Sequence, residues 1–193
     1  MANQKKIDAQ ERLDAYVVGN AIKEQLLPTF EFQQTPTFTP FDLDCKWTDK
    51  DKSIAIEIKE RWKKPEYMEK YQYAELREDK RDRIITATSG FDYTYYVQLL
   101  NHNWMIMFYF PSINWNACPL AEWKIKDTQY SEDEKMSMPK TYNIPWEWRC
   151  NCVDVRKYYT EYEQANPEEY EYLRHEWEND YYTKDLKNYG YIY

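Results

Sequence analysis

Glycine is the scarcest resource in this 193-residue chain, which contains only three. Tight turns that need φ > 0 are therefore few, and a glycine-rich phosphate loop is excluded. Histidine is nearly as rare: His102 and His175 are isolated from each other, so no paired histidine spacing marks a zinc site. Of four cysteines, Cys150 and Cys152 form one close pair, and no second pair completes a tetrahedral centre. No serine or cysteine stands in a recognisable nucleophile–base arrangement. No apolar run is long enough to cross a bilayer, and nothing near the N terminus reads as a signal peptide. These absences place the chain, as an expectation, in a reducing cytoplasmic (intracellular) compartment with free thiols and no membrane contact.

Aromatic residues, by contrast, are plentiful: 20 Tyr and 8 Trp bring large contact area with a polar tip. Such side chains suit cores, interfaces and stacked bases alike. The formal charge is −8, which argues against coating nucleic acid by bulk attraction. A local basic patch is a different matter, and Lys59, Arg61, Lys63 and Lys64 supply one. Acidic residues dominate the C-terminal third.

From Ile7 to Leu27 apolar residues recur near the helical period, with Gly19 inside the pattern and Pro28 at its end. Phe30–Gln34 reads as a short edge strand between prolines. Residues 41–47 and 53–61 read as two strands joined by a charged hairpin turn. A long helix is expected from Glu66 to Ala87, after Pro65. Residues 92–100 and 104–110 form a second hairpin signature around Asn101-His102-Asn103. A further strand pair is expected at Ala121–Lys126 and Lys140–Ile144. Residues 154–193 read as helical, with Pro167 opening a helix after Asn166. No repeat of fixed period stands out, and the simplest division is a domain over 1–150 and an acidic, Tyr-rich helical extension over 151–193.

Ile54-Ala55-Ile56-Glu57-Ile58-Lys59 alternates strictly. The three isoleucines face one side of a strand, and Ala55, Glu57 and Lys59 face the other. An acid and a lysine one pleat apart, beside a strand carrying Asp42 and Asp44, can hold a divalent metal and a phosphate together. That combination points to metal-dependent phosphodiester chemistry.

Pro40-Phe41-Asp42, then Glu57-Ile58-Lys59, then a helix and another strand pair, resembles the PD-(D/E)XK nuclease superfamily over roughly residues 7 to 110. Glu69–Leu76, and Tyr95-Tyr96-Val97 followed by Ile106–Tyr109, resemble the helix and closing hairpin of small phage and bacteroidetes-type members. The resemblance implies an α/β, restriction-endonuclease-like fold: a mixed central sheet flanked by helices, here with a helical C-terminal extension. It implies Mg2+-dependent (or Mn2+-dependent) hydrolysis of DNA, leaving a 5′-phosphate and a 3′-hydroxyl. Asp42 and Glu57 would ligate the metal, with the carbonyl of Ile58 as a third oxygen, and Lys59 would serve the attacking water or the scissile phosphate. Asp44 is the alternate to Asp42, since the two share a pleat face. Glu24 is the candidate for a helix-borne acid. Arg61, Lys63, Lys64, Lys70 and Gln72 are the candidate DNA contacts, the last two from the second helix. A homodimer or a protein partner is compatible with such a chain, and the resemblance to phage members is compatible with a phage origin. The competing reading is a catalytically silent nuclease fold serving as a phage-type structural or protein-binding module.

Overall fold

The computed structural model describes residues 2–36, 39–63, 65–68, 70–121 and 140–179. Helix α1 (Ala2–Gln25) buries Ala9, Leu13, Val17, Val18, Ala21 and Ile22 along one face. It passes through Gly19 without a break, because the glycine is where strand β1 (Phe30–Gln34) comes close. A Cβ there would meet the Phe32 ring at 2.3 Å.

Strands β1, β2 (Leu43–Trp47) and β3 (Lys52–Arg61) run as an antiparallel meander. The chain then leaves the sheet through the short helix α2 (Pro65–Met68), strand β4 (Tyr73–Arg77) and helix α3 (Glu78–Ala87). It re-enters as β5 (Tyr93–Leu100), parallel to β3, and turns back as β6 (Trp104–Tyr109). Strand β8 (Thr141–Pro145) pairs with β4, and the short β7 (Leu120–Ala121) pairs with β8 on its other side, in a separate sheet ordered β4-β8-β7. Strand β9 (Asn151–Asp154) completes the main sheet, ordered β1-β2-β3-β5-β6-β9. Helices α4 (Arg156–Ala165) and α5 (Pro167–Asn179) follow.

The alternation of β3 divides the interior into two cores. Ile54, Ile56 and Ile58 pack with α1, α4 and α5 on one face. Ala55, with Tyr96 and Phe108 of β5 and β6, packs on the other face against Ile84 of α3 and Ala74, Leu76 and Ile144 of the small sheet. The mixed sheet flanked by helices, with a helical C-terminal part, is the fold class expected from the sequence. The boundary expected at residue 150 falls just before β9, the edge strand of the main sheet.

The long helix expected over Glu66–Ala87 is not there. Only its first turn and its last ten residues are helical, and β4 lies between them. Ala74 and Leu76 are buried while Tyr73, Glu75 and Arg77 are not, which is a period of two. Pairing of Ala74 with Ile144 and of Leu76 with Tyr142 rewards that period, and tertiary context overrides the helix-forming composition. The expected strand at Lys140–Ile144 corresponds to β8. Of Ala121–Lys126 only Ala121 lies within the described residues, at the end of β7, and residues 180–193 of the expected C-terminal helix lie outside them.

Candidate active site

Unequal strand lengths open the site. Strand β2 pairs with β3 only from Trp47–Lys52 to Leu43–Ile56, and β3 continues for five residues beyond. Asp42 takes over the vacated edge: its backbone N–H donates to Ile56 O at 2.9 Å, and its Oδ2 accepts the Ile58 N–H at 2.6 Å. A strand residue directs its N–H and C=O toward the same neighbour, so the Ile58 carbonyl also faces this gap. The gap is a cleft of about 420 Å3. Asp42, Glu57, Ile58, Lys59, Glu60 and Arg61 line its floor. Lys6, Gln10, Glu11 and Asp14 of α1 form one wall, and Lys80 of α3 closes the other side.

The Asp42 and Glu57 carboxyls are neighbours close enough for each to act on the other's protonation. Burial pushes the Asp42 carboxyl above its ordinary range, against the opposing pull of the Ile58 N–H and the nearby lysines. Glu57 is 5% exposed and is pushed further up, first by burial and then by the charge of Asp42. Its Oε2 lies 2.9 Å from Lys80 Nζ, an ion-pair contact, yet finds no partner in hydrogen-bonding geometry. Two carboxyls thus crowd a buried point where the negative charge is only partly neutralised. Lys59 opens on the cleft; desolvation by the surrounding walls, and then Arg61, hold its ammonium below the usual lysine value. A second acidic pair, Asp14 and Glu60, lines the same cleft. Burial raises both, and Glu60 reaches about 7.

Of the residues singled out from the sequence, the fold brings Asp42, Glu57, Ile58, Lys59 and Arg61 together. It sends the others elsewhere. Asp44 sits opposite Ala55, one pleat nearer the hairpin, and faces a different depression with Asp51 and Asp92. Glu24 is exposed and bonded to Lys157 Nζ at 2.6 Å and Tyr158 OH at 3.2 Å. It lies ten residues beyond Asp14, about 15 Å along α1 at 1.5 Å per residue. Lys63 turns inward: its Nζ donates to the Tyr71 and Tyr73 carbonyls at 2.9 and 2.8 Å, and burial pulls it down to about 8. Lys64 lies outside the described residues. Lys70 and Gln72 are exposed between α2 and β4 and do not line the cleft, because the helix expected to present them is absent.

Sequence reading missed Lys80, Glu11, Asp14 and Glu60. A signal existed on α1. Gln10, Glu11 and Asp14 follow i, i+1, i+4 spacing, a polar stripe beside an apolar one. Lys80 had no such signal, because the unbroken helix expected there placed it on an arbitrary face. Among the described residues no group of three His, Cys, Asp or Glu side chains forms a ready metal cage; Cys150 and Cys152 are free and exposed.

No family model matches the sequence, and no curated protein matches it. Among solved structures the chain is similar to the Holliday junction resolvase Hjc of Archaeoglobus fulgidus, an archaeal hyperthermophile. The two are 15% identical, the match covers 72% of this chain and 96% of that one, and the TM-score is 0.40.

Proposed function

We propose that this protein is a divalent-metal-dependent nuclease of the PD-(D/E)XK, restriction-endonuclease-like superfamily, acting on DNA. One observation carries the reading: the Asp42 and Glu57 carboxyls lie together in a buried cleft, the only cation close to Glu57 Oε2 among the described residues is the Lys80 ammonium at 2.9 Å, and Lys59 lines the same cleft. Two buried carboxyls set against one close ammonium leave negative charge that a divalent cation relieves. The donor set fits a hard ion such as Mg2+ (or Mn2+), since it offers two carboxylates and the Ile58 carbonyl, and such ions retain several waters.

When bound, the ion supplies Lewis acidity, which activates water and offsets charge on a phosphate. The chain does the rest. Asp42 is fixed by the Ile58 N–H and so presents its free oxygen at a set angle. Glu57 is fixed by the register of β3. Lys59 orients the attacking water or stabilises negative charge growing on the scissile phosphate. Arg61 lines the same cleft and holds the backbone of the nucleic acid. Glu11, on the α1 wall, takes the part first assigned to Glu24. Lys80 partly neutralises Glu57 while no cation is present.

Incubation with supercoiled plasmid and Mg2+ or Mn2+ tests this. Nicking or linearisation is expected, abolished by chelator, by Glu57→Gln and by Lys59→Ala. Cleavage that survives in the Glu57→Gln/Lys59→Ala double variant would overturn the assignment of the site.

A further inference from the structure

The turn between β5 and β6 is built unlike an ordinary exposed hairpin. Asn101 and His102 both have φ of 54°, an uncommon backbone state outside glycine. Both are buried. Asn101 clamps the exit of β3: its Oδ1 accepts the Lys63 N–H at 2.7 Å, and its Nδ2 donates to the Lys63 carbonyl at 2.9 Å. Strain of this sort persists where surrounding structure holds it, and it gathers near functional sites. The beneficiary here is His102. Its Nε2 lies 2.7 Å from Glu60 Oε1, a carboxyl of the cleft floor. Trp62 bonds to the same carboxyl.

His102 is in turn enclosed by the C-terminal helices. Its ring stacks on Tyr159 of α4 at 3.9 Å and meets Trp177 of α5 edge-on at 4.7 Å. Trp177 is 2% exposed, and its indole N–H donates to Gln10 Oε1 at 2.9 Å. Gln10 belongs to the α1 wall of the cleft, above that floor. An ion pair between Arg12 and Glu169, and Lys5 over the Tyr172 ring at 4.3 Å, reinforce the hold of α5 on α1. One tryptophan therefore touches both sides of the site: α1 through Gln10, and β3 through His102 and Glu60.

We infer that Trp177 and His102 are positioning residues that fix the α1 wall of the cleft relative to its β3 floor, so that the C-terminal helices form part of the site. The inference deepens the nuclease reading and rests on it for its chemical meaning, but its geometric content stands apart.

Hydrogen exchange in the metal-free protein tests that content directly. Trp177→Phe keeps an aromatic ring but removes the indole N–H together with part of the ring volume; His102→Leu removes the bond to Glu60, and His102→Gln restores a polar group at that position. Trp177→Phe and His102→Leu are expected to speed amide exchange by about tenfold or more in both residues 6–14 and residues 57–61. His102→Gln is expected to restore most of the protection in residues 57–61. Changes confined to α5 and the 101–103 turn, with the α1 wall and the β3 floor as protected as in the parent, would overturn the inference. This readout needs neither metal nor DNA. A parent protein that fails to cut DNA refutes the nuclease reading and leaves the wall-coupling result standing. If the parent does cut, Trp177→Phe should lower kcat at nearly unchanged KM for DNA.

Discussion

Asp42 Oδ2 accepts the backbone N–H of Ile58 at 2.6 Å, so the acid that ends one strand caps the exposed edge of the next. This bond makes the site a consequence of strand length. Had β2 continued past Leu43, its own backbone would have covered that edge of β3 and closed the cleft. The same bond brings the Asp42 carboxyl against Glu57, and the cost of that proximity produces the first prediction.

Glu57→Gln should stabilise the metal-free protein at pH 8. A carboxyl whose folded pKa stands above its unfolded value keeps its proton in the native state after the unfolded chain has released it. Its favourable contribution is complete below the unfolded value, about 4.3 for Glu, and is lost as pH rises through the raised folded value. Burial and the Asp42 charge put Glu57 in that position. The amide removes the liability. The variant should melt higher than the parent at pH 8, by roughly 2–4 °C for each kcal/mol relieved, and the gap should close below pH 4. Calorimetry at the two pH values checks it; an unchanged gap would show that Glu57 is not the group responsible.

Cleavage should rise with pH. Both carboxyls must be ionised to hold a cation, and both are raised by burial. At limiting Mn2+, kcat/KM should climb through the raised pKa of the pair, and excess Mn2+ should displace the profile to lower pH by competing with the protons. A profile independent of Mn2+ concentration contradicts the role given to the pair.

Lys80→Ala should tighten divalent-metal binding several-fold. The ammonium stands 2.9 Å from Glu57 Oε2 and competes with a cation for the same charge. Titration of Mn2+ into parent and variant decides between this and a metal-supporting role, for which affinity would fall.

How far the sequence reveals this site depends on the range of the signal. The strict alternation of Ile54–Lys59 is local, and it places Glu57 and Lys59 on one face with no other information. Asp42 is read from the same hairpin. The choice between Asp42 and Asp44 is not local, because it depends on where β2 stops pairing. Lys80 is hidden for a different reason: β4 forms only because β8, some 65 residues later, offers Ala74 and Leu76 partners. His102 looks like a polar turn residue until Tyr159 and Trp177 arrive from the end of the chain.

Two substitutions separate packing from binding among the residues first read as DNA contacts. Lys63→Ala leaves two carbonyls without their donor and should cost about 1–3 kcal/mol of stability, with DNA affinity little changed. Arg61→Ala should weaken DNA binding and reduce the slope of log affinity against log salt by about 1. Denaturant melts and salt-dependent anisotropy measure the two effects. The opposite pattern would restore Lys63 to the DNA surface.

Gly19→Ala should destabilise by about 1–3 kcal/mol, since the new methyl meets the Phe32 ring at 2.3 Å. Phe32→Leu in the same chain should recover part of the loss. Additive effects in the double-mutant cycle would show that the two positions do not touch.

The most direct measurement for the whole account is calorimetric titration of Mn2+ into the parent protein, Asp42→Asn and Glu57→Gln at pH 8. The account predicts binding by the parent that is weakened about tenfold or more in each variant, while both variants keep the parent's fold by circular dichroism. A parent that takes up no Mn2+, or variants that bind it as the parent does, would contradict the claim that these two carboxyls form a cation site.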